Sequence, residues 1–258
     1  FQAKYGHPLT VPTTYDEMYQ VAEFFTRPPN LHGFFLGGVD WSIFLDDTYC
    51  TYGAGGNYGD LATGALTLNS DAQKSALANV ARFAKLNPAG WETQSFFDGD
   101  ALMQSGKVVM YQNWFYIWKT FQKAMPDKIG MAPLPAKGAA LGAFVATIPN
   151  AAPNPTAAAK FIDWMLSPEY QKAQSIETGN LPVRTDVLAD PALRSALVGI
   201  DQMEKVLPNL QYNHVTWSGE LSAGVGEAIV KVLHGEMTPD QAATWLQNVK
   251  FAGRKAIE

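Results

Sequence analysis

Phe97–Trp118 reads FDGDALMQSGKVVMYQNWFYIW, and this stretch decides the fold. Its order is a short helix over 97–104, a tight turn at Ser105-Gly106-Lys107, an apolar strand over Val108–Tyr111 and then a run of aromatic residues. Open α/β folds place their ligand sites at the ends of strands. Here the strand delivers Gln112, Asn113, Trp114, Phe115, Tyr116 and Trp118 to such an edge. Flat apolar rings beside amide side chains suit a neutral polyhydroxylated ligand, which offers C–H faces to rings and hydroxyls to donors and acceptors. The same rings also suit a core, and a helix running from Trp114 would bury about half of them.

Outward from this stretch, short strands alternate with helices. Thr14 and Glu17 form a capping box for a helix at about 15–26, which Arg27-Pro28-Pro29-Asn30 stops. Strands are predicted at 33–37, 66–68, 129–132 and 145–148. Helices are predicted at 41–53, at 71–86 with Ser70 as cap, at 114–124, at 156–166 with Thr156 as cap, and at 169–178 closed by Gly179. Further helices are expected at 191–206, 222–234 and 239–252, the last with Thr238 as cap and Pro239 at its first position. This alternation means an α/β architecture.

Composition narrows the function. The 258 residues are 47% hydrophobic and 17% charged, with a net charge of -5, and the basic residues are scattered. That argues against a nucleic-acid partner, which needs basic patches. No stretch approaches the ~18 apolar residues of a membrane span. One cysteine, Cys50, leaves no intrachain disulfide and no thiolate zinc site. The opening FQAKYGHPL shows neither a basic start nor an apolar run, so no signal segment is read in it; it suits a mature or trimmed product, or a fragment.

Chemistry-bearing motifs are sparse. Gly53-Ala54-Gly55-Gly56-Asn57 lacks the spacing and the following Lys-Ser/Thr of a phosphate loop. His7, His32, His214 and His234 never pair four apart, so neither a metal site nor a cofactor is expected. His214, in YNHVTW, is a candidate ligand contact. Asp46 and Asp47 point about 100° apart on a helix and cannot face one glycosidic bond, while Asp98 and Asp100 belong to a helix's first turn. The chain is therefore read as a non-enzyme.

These segments resemble, in order, the extracellular solute-binding proteins of ABC importers, in the carbohydrate-binding group that includes maltose-binding protein. The matching motifs are VPTTYDEM, TLNSDAQKSAL, FFDGDALMQSGKVVMYQNW, IGMAPLPAKG, AAAKFIDWMLSPEYQK, GNLPVRTDVL and LHGEMTPDQAATWL, over about residues 10–250. Each is weak alone; seven in sequence are not. The resemblance implies a type II periplasmic-binding-protein clamshell, mainly its C-terminal lobe, lacking most of the N-terminal lobe. It divides the chain into C-terminal lobe (1–143), a segment of the N-terminal lobe (144–189) and C-terminal lobe again (190–258). The implied function is capture of a sugar or polyol between lobes and delivery to ABC permease subunits, in the periplasm or outside the cell, with a lipoprotein anchor in a Gram-positive host. A sugar-active hydrolase and a truncated lobe serving only as an interaction module are the alternatives. The missing N-terminal lobe is itself an implied partner, encoded by the same gene or a separate chain.

Site residues follow from the resemblance position by position. Trp114 in QNW matches the ligand-stacking tryptophan, with Asn113 beside it. Trp217 matches a second aromatic near the cleft. Trp41 falls where an early site residue is placed, with Asp40 as a hydroxyl acceptor. Gly142, Ala143 and Phe144 match a hinge strand whose backbone faces ligand, and Arg184 in LPVR is a polar contact from the other lobe. Packing remains an open reading for Trp41 and Trp217, as does a salt bridge for Arg184.

Overall fold

The computed structural model describes residues 1–257. In chain order the elements are α1 (Gln2–Tyr5), α2 (Tyr15–Phe25), β1 (His32–Phe35), α3 (Asp40–Gly53), α4 (Asp71–Ala84), α5 (Phe96–Gln104), β2 (Val108–Tyr111), α6 (Ile117–Ala124) and β3 (Ala139–Ala140). Then follow α7 (Pro155–Met165), α8 (Pro168–Thr178), α9 (Thr185–Leu188), α10 (Pro191–Ala196), α11 (Ile200–Glu204), β4 (Leu210–Gln211), α12 (Ser218–Leu233) and α13 (Pro239–Trp245). The chain forms two compact units. The first comprises 1–112, 132–141 and 206–258; the second comprises 113–131 and 142–205.

In the first unit, β1 and β2 run parallel, with His32 opposite Val108 and Phe35 opposite Tyr111. Every residue of β1 is buried, which is why Gly33-Phe34-Phe35 shows no polar alternation. Gly33 lets α2 lie directly on this strand: a Cβ there would sit 1.7 Å from the Ala22 carbonyl oxygen. Phe83 of α4 covers Phe34 with ring centroids 4.7 Å apart. Leu77 and Val80 of α4 join Leu221, Val225 and Ile229 of α12 and Leu246 in one core. Each large apolar side chain so buried contributes about 1.5–3 kcal/mol. A second parallel pair sets Ala139 of β3 against Leu210 of β4.

The second unit, α6 to α11, is built around Phe115, Trp118, Val187, Leu193, Leu197 and Ile200. This cluster draws 113–131 and 190–205 together, so the compact units do not coincide with the division at 143/144 and 189/190.

Several local expectations need correction. Among the described residues 129–132 and 145–148 form no strand, and 66–68 contributes only a bridge from Leu66 to Gly59. Val145 is apolar but exposed, with no neighbouring strand to supply hydrogen bonds. Asn154, not Thr156, caps α7, accepting from the Ala157 amide at 2.9 Å. The helix expected at 191–206 breaks at Gly199, which takes φ 88°. At α2, Thr14 accepts the Glu17 amide at 3.2 Å, but the Glu17 carboxylate reaches back to the amide and hydroxyl of Thr13.

Candidate functional site

The parallel pair β1–β2 ends in two aromatic-bearing segments. After β1, Gly37 and Gly38 pass under the start of α5: a Cβ on Gly37 would lie 2.7 Å from the Phe96 amide nitrogen, and one on Gly38 would lie 2.4 Å from the Glu92 Cα. Only glycine allows that approach, and it leads straight into Trp41 in the first turn of α3. Trp41 is 43% exposed and stands edge-on to Phe96, with centroids 4.8 Å apart. Phe97, 56% exposed, lies 6.1 Å from the same indole. Sequence reasoning took Phe97 only as the start of a helix; the signal available was a second exposed-type aromatic beside a capping box, Ser95 with Asp98. The side chain of Asp40 lies outside the described residues.

After β2, the chain runs Gln112-Asn113-Trp114. Gln112 donates from Nε2 to Asp46 Oδ1 on α3 at 2.9 Å, which fixes the first residue beyond the strand. In the second unit, the Asn113 side-chain oxygen accepts the Trp114 backbone amide at 2.7 Å and holds that turn. Of the aromatic run, Phe115 and Trp118 are core, whereas Trp114 and Tyr116 are half-buried. Gly142 lies against the Trp114 indole, and a Cβ there would come within 2.7 Å of Nε1. Two predicted site residues are thus brought together. Phe144 is fully exposed and Ala143 is exposed.

The remaining predicted residues have structural occupations. Trp217 donates from Nε1 to the Lys255 carbonyl at 2.7 Å, packs on Phe251 and carries the Arg254 guanidinium 3.9 Å from its ring centroid. This is the packing role that the sequence left open for it. Arg184 forms a two-pronged pair with Asp186, at 2.9 and 2.7 Å, the salt bridge that the sequence left open. His214 is half-buried, with Nδ1 2.8 Å from the Gly59 carbonyl oxygen. A carbonyl only accepts, so Nδ1 carries the proton and Nε2 is the nitrogen left to face other groups.

The acidic pair is closed to substrate. Asp47 is fully buried and accepts from Tyr58 at 2.8 Å and from Gln73 at 3.0 and 3.2 Å; burial pushes its carboxyl up to about 6 against those donors. Asp46 is buried too, and burial raises it well above the usual carboxylate range. Neither can flank a glycosidic bond. Two surface grooves, of about 440 Å³ beside Arg82 and His234 and about 530 Å³ beside Lys119 and Glu177, contain none of the predicted residues. Among the described residues no three His, Cys, Asp or Glu side chains gather as metal ligands, and no helix is long and apolar enough to cross a membrane.

Comparison with known proteins completes the picture. Residues 1–197 match the family described as bacterial extracellular solute-binding protein. The chain superposes on maltose-bound MalE3 of T. maritima with a TM-score of 0.82 at 26% identity, covering 96% of this chain and 67% of that one. It superposes on an ABC transporter solute-binding protein of Thermotoga lettingae, bound with α-D-tagatose, at TM-score 0.76 and 23% identity, with the same coverage. A counterpart from Agrobacterium vitis, with bound D-mannitol, gives TM-score 0.68 at 20% identity, again covering 96% and 67%. The fold is thus that of the type II periplasmic binding proteins, of which this chain spans about two thirds of the length of these structures. The chain belongs to the bacterial extracellular solute-binding protein family. The family and these relatives are binding proteins rather than enzymes.

Proposed function

We propose that this chain is the substrate-binding component of an ABC importer, that its solute is a sugar or polyol, and that it hands the solute to membrane permease subunits. The observation that carries this reading is Trp114, half-buried just beyond β2, with its turn held by Asn113 and the Gly142 backbone against its indole. A ring held this firmly offers a flat apolar face at little cost in ordering. Trp41 and Phe97 add exposed aromatic surface beyond β1. The maltose, tagatose and mannitol bound by the relatives are of the solute class that such surfaces suit.

The lobe division at 143/144 and 189/190 belongs to this proposal, as do Asp40, Phe144, Arg184, Trp217 and His214 as ligand contacts. So does action in the periplasm or outside the cell, with a lipoprotein anchor in a Gram-positive host. Binding is the whole of the mechanism: contacts realised only in the closed state shift the protein toward it, by no more than their differential affinity. A hydrolase is disfavoured by the burial of Asp46 and Asp47.

The test is calorimetric titration with maltose, D-tagatose and D-mannitol. Binding of at least one, weakened a hundredfold or more by Trp114→Ala with an unchanged melting temperature, supports the assignment. Undiminished affinity in Trp114→Ala sinks it.

A further inference from the structure

Two adjacent carboxyls on α3 are buried, and they are served unequally. Asp47 accepts from Tyr58 at 2.8 Å, from Gln73 at 3.0 and 3.2 Å and from Thr51 at 3.5 Å. Among the described residues the Asp46 side chain has one donor, Gln112 Nε2, at 2.9 Å from Oδ1. Nor does a cation face it. The titratable groups that bear on Asp46 are Asp47, Tyr49 and Cys50 of its own helix and Tyr15 of α2, none of which can carry positive charge. Arg82 of α4 bonds Asp16 at 2.7 Å, and among the described residues no charged side chain of α12 or β3 bears on Asp46. A buried carboxyl with no counter-charge keeps its proton instead of ionising. Burial holds this one well above the usual carboxylate range.

The Gln112 amide shows the complementary defect. Its Oε1 is buried and has no donor among the described residues. A primary amide offers a donor end and an acceptor end in one plane, and a neutral carboxylic acid offers the same two reversed. A carboxylate offers acceptors alone and would leave Oε1 unpaired. One proton on Asp46 meets both needs.

We propose that Asp46 is a positioning residue of the solute site: as a neutral carboxylic acid it accepts from Gln112 Nε2 through Oδ1, donates from Oδ2 to Gln112 Oε1, and so fixes the chain where it leaves β2 for Trp114. Gln112 is the first residue beyond β2 and the last of the first unit, and Asn113 and Trp114 follow it. A two-bond pair sets the orientation of a side chain as well as its distance. The pair opens when rising pH removes the proton, because the carboxylate has no donor left for Oε1. The bearing on solute capture rests on Trp114 as the solute-facing ring; the proton on Asp46 does not.

The test uses the 258-residue chain without sugar, so its failure and a failure of the solute assignment are distinguishable. Infrared spectroscopy at about pH 7.5, where Asp47 with its carboxyl at about 6 is largely ionised, should show the C=O band of a protonated carboxylic acid. Asp46→Asn should abolish that band and Asp47→Asn should keep it. The second readout is tryptophan emission, taken as the difference between each protein and its Trp114→Phe counterpart. In the wild type this difference should shift as rising pH removes the Asp46 proton. In Asp46→Asn, whose amide supplies the same donor and acceptor, it should stay at its neutral-pH position throughout. In Asp46→Leu, or in Gln112→Met if that variant does not fold, it should be shifted at every pH. Absence of the acid band, or its survival in Asp46→Asn, would overturn the protonated pair. An acid band with Trp114 emission unmoved in Asp46→Leu or Gln112→Met would overturn the positioning role.

Discussion

Helices α4 (DAQKSALANVARFA) and α7 (PTAAAKFIDWM) begin alike and end in different surroundings. Each is capped by a side chain, Ser70 accepting the Gln73 amide and Asn154 the Ala157 amide. Each carries apolar residues at helical spacing. Yet α4 buries Ala76, Leu77, Val80, Ala81, Phe83 and Ala84, and even Gln73, whereas α7 buries nothing. The difference lies in neighbours. Helix α4 has α3 on one side and α12 and α13 on the other, with the β1 strand under its Phe83. Among the described residues α7 has chiefly α8. Amphipathic pattern states that a helix has an inside; which surface provides that inside is a tertiary matter.

The largest effect that separates the two helices is a cavity. Leu77→Ala, at a site with no exposure, is expected to destabilise the first unit by about 2–5 kcal/mol in urea unfolding. Phe161→Ala in the isolated chain is expected to stay within about 0.5 kcal/mol, as exposed substitutions do. A loss at Phe161 equal to that at Leu77 would mean that the α7 face is covered after all.

A smaller effect comes from the polar interior of the first unit. Gln73 of α4 donates to Asp47, whose carboxyl is raised from 3.8 to about 6 by burial. Because the folded pKa lies above the unfolded one, the folded state holds a proton that the unfolded state releases between about pH 4 and 6. Stability should therefore increase as pH falls from 7 to 5 and decrease as pH rises through 6. The whole contribution is about 3 kcal/mol, from a shift of about two units. Asp46, also raised by burial, acts in the same direction, whereas Glu17, Glu204 and Glu227, held below their usual value by hydrogen bonds and ion pairs, oppose it at the acid end, where stability is lost as pH falls through their ordinary range. Asp47→Asn should make the pH profile of the melting temperature shallower, Asp46 keeping its own raised carboxyl; an equally steep profile would remove Asp47 from the account.

The smallest contrast is between caps. Ser70→Ala is expected to lower global stability by about 1 kcal/mol. Asn154→Ala removes the same kind of bond, but α7 has no buried residue to link it to global unfolding. It should raise local opening of residues 154–158 and leave the urea midpoint unchanged.

The aromatic-rich stretch from Phe97 to Trp118 shows what the sequence could and could not reveal. Helix α5, the turn and β2 fall within a residue of expectation, because a capping residue, a glycine turn and a β-branched run are local signals. Helix α6 starts at Ile117, three residues later than expected, since Asn113 ties up the amide of Trp114. The strand expected at 145–148 failed because a strand needs a partner's backbone, and apolar residues alone do not supply one. At the site, residue type was legible and placement was not. Residue type and spacing do not separate Trp114 from Trp118, and only the family resemblance singled out Trp114; one is half-buried against Gly142 and the other lies in a core. Nor does the sequence tell that Trp217 spends its N–H on Lys255.

The most direct measurement is hydrogen–deuterium exchange of the 258-residue chain, read peptide by peptide. An 11-residue helix with no fully buried residue is weakly held, whereas a core helix opens only with its unit. The amides of α7 should exchange at least a hundredfold faster than those of α4. Equal protection of the two helices would contradict the account that α7, unlike α4, has no fully buried residue to tie it to its unit.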